Sequence, residues 1–244
     1  PTRDHTERMM KTFEANISFS KGIVEIEKSD LKTPGQIEVP GDFSSAAFFI
    51  GACLISENSE IKIKNVGINK TRKAFLDCLL DMNANIDLAN IRQLGNEEVA
   101  DLVIKSSDLL PAKIMEDIVP NLIDELPLFF LIASMIEGES EFNGLSELKH
   151  KESDRLSIMI NNLQKLDVEV QLNEDCLKII GKKDRIFSDE VFDSHGDHRI
   201  AMTMLVAGLR STEGLTITNV ECINTSFPEF IDQAKTLGFS FKNG

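Results

Sequence analysis

The chain has 244 residues, 42% of them hydrophobic and 27% charged, the balance of a globular protein large enough to bury a real core. A formal net charge of −14 and the absence of Trp and Tyr argue against nucleic acid as a partner, since that role draws on basic surfaces and stacking rings. No apolar run approaches the roughly 20 residues needed to span a bilayer, so no membrane partner is expected. Cys53, Cys78, Cys176 and Cys222 are scattered, without a C-x-x-C pair, and each lies among apolar residues; buried free thiols are expected, with neither a disulfide framework nor a zinc site. Pro1 to Glu7 are polar and unlike a signal peptide, so the expected compartment is cytoplasmic.

In chain order, Asp4 and Glu7 have the spacing of a capping box and predict a helix from about His5. Residues 17–26 read as two strands around a turn at Lys21-Gly22, and Thr33-Pro34-Gly35 punctuates the chain. Residues 1–34 are therefore expected to be the tail of a preceding domain, and 35–244 a second domain.

That second domain contains a repeat, three times over, at about 36–104, 112–180 and 190–244. The first copy opens at Pro40-Gly41-Asp42-Phe43-Ser44-Ser45 and runs into an apolar helix to Ile55. A strand (60–63), a second helix through Phe75, Leu76, Leu79 and Leu80, and a strand from Asn83 to Asp87 follow, with a linking strand at 102–104. The second copy opens at Ile123-Asp124-Glu125-Leu126-Pro127 and runs to Ile136. Its strand lies near 140–143, its second helix carries Leu156, Met159, Ile160, Leu163 and Leu166, and strands at 168–170 and 176–180 close it. The third opens at Gly196-Asp197-His198-Arg199, with a strand at 215–218, a helix over about 228–237 and a last strand at 239–241. The element order predicts a mixed α/β, or α+β, domain with helices packed inside sheets.

Each copy starts with an Asp placed to cap a helix, which is reason enough for an Asp to stand there. Asp42 reads that way. Two further segments carry chemistry. Lys149-His150-Lys151-Glu152-Ser153-Asp154-Arg155 brings cations and acids together at i, i+3 and i, i+4 spacing; spacing alone favours a salt-bridged helix start. His198 and Arg199 stand at a helix N-terminus, where the dipole disfavours cations. An anion bound there or simple exposure would each account for them.

These segments, with the start Thr2-Arg3-Asp4-His5-Thr6-Glu7-Arg8-Met9, Asn143-Gly144-Leu145 and Thr225-Ser226-Phe227-Pro228-Glu229-Phe230, resemble the 5-enolpyruvylshikimate-3-phosphate synthase family, in its order and over nearly the whole chain. The likeness is to the bacterial branch called class II. It implies two domains of three βαβαββ-type units each around a pseudo-threefold axis, of which this chain would hold the C-terminal half. The front half, with its Lys-Ser and Asn-x-Gly segments, would be a partner in the same protein.

By the same resemblance the substrates are shikimate 3-phosphate and phosphoenolpyruvate, with no cofactor and no metal. The 5-hydroxyl adds to C2 of phosphoenolpyruvate as C3 is protonated, and the adduct then loses phosphate and a C3 proton. Asp124 would be the base on the hydroxyl and Glu152 the proton shuttle at C3. Lys151 would lie near the shikimate hydroxyls, Arg155, His198 and Arg199 around phosphoenolpyruvate, and Arg3 on the shikimate phosphate. One departure is Thr225, where many relatives carry a Lys. The alternatives are an enzyme like the UDP-N-acetylglucosamine enolpyruvyl transferase, or a folded domain without catalysis.

Overall fold

The computed structural model describes residues 3–20, 22–183 and 185–242. Helix α1 (His5–Thr12) is followed by the antiparallel hairpin β1 (Ile17–Ser20) and β2 (Ile23–Ile26); Lys21 of its expected turn lies outside the described residues. The first repeat comprises α2 (Phe43–Ile55), β3 (Glu60–Gly67), α3 (Ala74–Asp81), β4 (Asn85–Leu94) and β5 (Glu97–Lys105). The second comprises β6 (Lys113–Ile114), α4 (Leu126–Ser134), β7 (Gly138–Asn143), α5 (Arg155–Lys165), β8 (Glu169–Asn173) and β9 (Cys176–Gly181). The third comprises β10 (Val191–Asp193), α6 (His198–Ala207), β11 (Thr216–Thr218), the single turn α7 (Ile223–Ser226) and α8 (Phe230–Thr236).

The repeats share topology as well as sequence layout. Strand order is β3-β5-β4 in the first sheet and β6-β7-β9-β8 in the second, so β7-β9-β8 copies β3-β5-β4. In each repeat a parallel pairing brackets the first helix: β6 with β7, β10 with β11, and the lone bridge Gly41–Val66 in the first. Parallel strands need a crossover, and the apolar helix supplies it. The second helix of every repeat ends alike, with Asn83, Asp167 and Gly238 at positive φ. The next residue then donates back to the helix: Ala84 to Leu79 (2.9 Å), Val168 to Leu163 (2.9 Å), Phe239 to Ala234 (3.1 Å). This is the left-handed C-terminal cap, favoured by Gly and Asn because a Cβ is least crowded there.

The core is centred on α2, α4 and α6, which pack on one another. Every residue of α4, and every residue of α2 except Ser45, is buried. A helix apolar on all sides must be enclosed on all sides, and the sheets enclose it. Two glycines permit close approaches around these core helices. A Cβ on Gly51 of α2 would stand 2.9 Å from Leu128 Cδ1 of α4, and one on Gly181 only 2.1 Å from the Ile136 carbonyl oxygen and 2.2 Å from that of Ala133.

Several expectations need correction. Asp4 caps no backbone group: its carboxylate accepts from Arg8 Nε (2.8 Å) and Asn69 Nδ2 (2.6 Å), docking α1 on the first repeat in place of a capping box. Residues 239–241 form no strand; the third repeat offers them no partner strand, and the Phe239 and Phe241 rings stack on each other instead. The short β10 escaped the sequence reading. The 149–155 segment is not a helical face, since a 3-10 turn ends at His150 and α5 begins only at Arg155. Cys53 and Cys78 are buried free thiols, but Cys176 and Cys222 are partly exposed, because one opens a strand and the other sits in a turn.

Candidate active site

The N-termini of the three core helices meet at one place. Asp42 accepts from the Ser45 N–H (2.8 Å) and Asp197 from the Arg199 N–H (2.9 Å), so both act as caps. Asp124 does not. The N-cap of α4 is Glu125, without a side-chain bond to the backbone, and Asp124 is turned out of the helix toward arginines. Three contacts join the helix ends. Ser44 of α2 donates to Glu125 Oε1. Arg199 of α6 donates through Nη1 to the Asp124 carbonyl (3.1 Å). Arg155, the first residue of α5, donates through Nε to Asp197 Oδ2 (2.8 Å).

Asp124 is surrounded by four guanidinium groups. Arg3 donates to its Oδ2. Arg72 Nη1 lies 3.4 Å and Arg199 Nη2 3.6 Å from Oδ2, and Arg155 Nη1 lies 3.5 Å from Oδ1. Burial pushes the Asp124 carboxyl upward, but the charges of Arg199, Arg3, Arg72 and Arg155 outweigh it and leave the group below its ordinary range. It is an ionised acceptor at neutral pH. Glu125 takes the opposite course. It is 2% exposed, and burial lifts it to about 7 against the pull of Ser44, Arg72 and Arg199. Two adjacent carboxyls thus titrate far apart, the pattern that separates proton-holding from proton-accepting groups.

Arg155 is fully buried and spans the site. Besides Asp197 it donates through Nη2 to Glu152, while its Nη1 has no hydrogen-bond partner among the described residues and faces Asp124. Asp197 also accepts from Ser153 Oγ (3.0 Å). Burial raises its carboxyl, and the hydrogen bond and charge of Arg155, with Arg199 N–H and Ser153, bring it below the usual value. Glu152 sits at the rim with its side chain more than half exposed. His198 is half-buried, and burial with the Arg199 charge lowers its pKa, so the imidazole is neutral at pH 7. Lys151 is partly buried and makes no ion pair among the described residues. Thr225 donates to the Cys222 carbonyl (2.7 Å). Among the described residues no cluster of His, Cys, Asp and Glu is placed to hold a metal, and no helix is long and apolar enough to cross a membrane.

The structure therefore gathers Arg3, Asp124, Glu152, Arg155 and Arg199, with His198 beside them. Sequence reasoning missed Ser44, Arg72 and Glu125. Arg72 carried a usable signal: it stands in Asn69-Lys70-Thr71-Arg72-Lys73, immediately before α3, with the same cation-at-an-N-terminus mismatch that marked His198 and Arg199.

The EPSP synthase (3-phosphoshikimate 1-carboxyvinyltransferase) family model matches residues 1–234. The chain belongs to the EPSP synthase family. A 3-phosphoshikimate 1-carboxyvinyltransferase of Geotalea uraniireducens is 44% identical over 230 residues, covering 94% of this chain and 53% of that protein. One of Alkaliphilus metalliredigens is 40% identical over 237 residues, covering 97% and 55%. EPSP synthase from Acinetobacter baumannii superposes with a TM-score of 0.94 at 37% identity, over 98% of this chain and 55% of its own. The enolpyruvyl transferase NikO from Streptomyces tendae, 14% identical with a TM-score of 0.73, shares the fold. The chain spans about half the length of the curated relatives it matches.

Proposed function

We propose that this chain carries one half of the catalytic apparatus of an EPSP synthase, which transfers the enolpyruvyl group of phosphoenolpyruvate to the 5-hydroxyl of shikimate 3-phosphate. The observation that carries the reading is a single ionised carboxylate, Asp124, held among four guanidiniums where three helix N-termini converge. Both substrates are anions, and guanidiniums and helix N-termini are the groups that bind them. The cluster carries only a small positive surplus, however: Arg3, Arg72, Arg155 and Arg199 face the acids Asp124, Glu152 and Asp197, and Glu125, raised to about 7, is part-protonated at neutral pH. Two multiply charged anions call for further positive charge, which supports a partner half of the same protein in closing the site. Residues 1–34 are the proposed tail of that half. The free thiols support a reducing, cytoplasmic setting.

In this reading Asp124 takes the proton of the 5-hydroxyl as its oxygen bonds to C2 of phosphoenolpyruvate, while Glu152 delivers a proton to C3. Glu152 then recovers a C3 proton as the C2–O bond to phosphate breaks, and the departing phosphate carries off the proton that Asp124 took, giving the enol ether and inorganic phosphate with both carboxyls returned to their starting states. Anionic substrate competes with Asp124 for Arg3, Arg155 and Arg199. As those contacts pass to substrate, the Asp124 pKa rises toward its ordinary value and the carboxylate becomes a stronger base. Lys151 is assigned to the shikimate hydroxyls and His198, neutral, to the phosphoenolpyruvate side.

The test joins this chain behind the first half of the Geotalea uraniireducens relative and measures phosphate release. Release that requires both substrates, and is absent from the 244-residue chain alone, is the expected result. A folded joined protein that releases no phosphate overturns the reading.

A further inference from the structure

One buried titratable group has no part in the chemistry above. Glu125 lies beside Asp124, is almost wholly enclosed, and has one carboxyl oxygen, Oε2, without a hydrogen-bond partner among the described residues. Its other oxygen accepts from Ser44 Oγ. Ser44 Oγ in turn accepts from Arg72 Nη2, which is itself 3.7 Å from Glu125 Oε1. The second nitrogen of the same fork, Arg72 Nη1, reaches Asp124 Oδ2 at 3.4 Å. Arg72 is 7% exposed and Ser44 3%, so the chain of contacts is shielded from water. It draws on three elements far apart in sequence: the start of α2, the turn before α3 and the start of α4.

We infer that Ser44 and Glu125 form a buried seat that holds Arg72 against Asp124, making Arg72 and Glu125 positioning residues for the proposed base. The inference rests on the assignment of Asp124 above. A guanidinium is the group the geometry asks for, because it spans two acceptors with fixed nitrogens, whereas a lysine offers one. Ser44 passes the constraint from the acid to the arginine. The charged or titratable groups facing Glu125 are Arg72 from the turn before α3, Arg199 from α6 and Asp124 on its own segment. Glu125 remains protonated through the range in which Asp124 titrates. Its removal therefore acts on Asp124 through the placement of Arg72 and not through its own charge.

The test is a carboxyl carbon NMR titration of Asp124 in the 244-residue chain, with the signal assigned by Asp124→Asn and folding checked by circular dichroism. Arg72→Gln should raise the Asp124 pKa by about one unit, the usual effect of losing a close opposite charge. Ser44→Ala and Glu125→Ala should move it the same way, and Glu125→Gln, which keeps an oxygen for Ser44, should return it close to wild type. Arg72→Lys should recover only part of the shift. An unmoved Asp124 in folded Ser44→Ala and Glu125→Ala, or full recovery by Arg72→Lys, overturns the inference; if Glu125→Ala does not fold, Ser44→Ala decides. In the joined protein, Glu125→Ala should lower kcat by roughly 100-fold with little change in KM, as misplacement of a catalytic group does. Because the titration needs no turnover, an inactive joined wild type would sink the enolpyruvyl-transfer reading separately, with the Asp124 shift still measurable.

Discussion

Replacing Arg155 with Leu is the sharpest test of how the site is built. Its guanidinium is fully enclosed and pairs with Asp197, which is equally enclosed, at 2.8 Å. The substitution leaves the Asp197 carboxylate buried with only Ser153 Oγ and the Arg199 N–H to satisfy it. Breaking a buried pair from one side costs about 3–5 kcal/mol, because the remaining charge loses its compensation without regaining water. For a chain of this size a loss of 1 kcal/mol lowers the melting temperature by roughly 2–4 °C, so the midpoint should fall by roughly 6–20 °C. With no Trp or Tyr in the sequence, intrinsic fluorescence is a poor probe, and thermal melts belong in far-UV circular dichroism. Arg155→Leu with Asp197→Leu should recover much of the loss, since a buried pair often exchanges for apolar groups at little cost. A single-variant drop under about 1 kcal/mol, the scale of an exposed pair, would show that water reaches these groups and would refute the reasoning.

Stability should also depend on pH through Glu125. Its folded pKa of about 7 lies above the ordinary value of 4.5, so its contribution is full at low pH and is lost as pH rises through about 7. In urea titrations, wild type relative to Glu125→Gln should lose ~3 kcal/mol between pH 4.5 and 7.5; a flat difference would refute the shift. Asp197 works in the opposite sense: its depressed pKa stabilises the fold above about pH 4, and that part is lost as acid protonates it. Gly181→Ala should destabilise by more than the 1–3 kcal/mol usual for overpacking, roughly, because the new Cβ meets two backbone carbonyls. Gly51→Ala meets only the Leu128 side chain and should cost less; equal costs in chemical denaturation would contradict the packing described. In the joined protein Glu152→Gln should cut kcat by about 100-fold or more with shikimate 3-phosphate affinity preserved, whereas near-wild-type kcat would reduce Glu152 to an ion-pair partner of Arg155.

The threefold layout was legible in the sequence because apolar helices of similar length recur behind an acidic residue, and periodicity reports burial directly. What stayed hidden depends on long-range partners. Residues 239–241 alternate like a strand, yet a strand exists only where a neighbour offers its backbone, and the third sheet stops at β10 and β11. Asp124 fits a helix cap locally, but four arginines from distant segments outbid the backbone N–H groups of α4 for its oxygens. Glu125 and Ser44 looked like ordinary helix-start residues; their link spans 81 positions and has no local pattern.

The enclosure of α2 also has a consequence for the living cell. Its wrapping is completed only when α8 is made, because the Phe230 ring packs on Phe48 and Phe49, and the two helices begin at Phe43 and Phe230, about 187 residues apart. At roughly 5–20 residues per second, the ribosome leaves this largely apolar segment without its last neighbour for about 9–37 s. The nascent chain thus presents a sticky helix for far longer than the time in which such a surface finds another. Yield in cells should therefore track chaperone supply and elongation rate more closely than it tracks the stability of the finished fold.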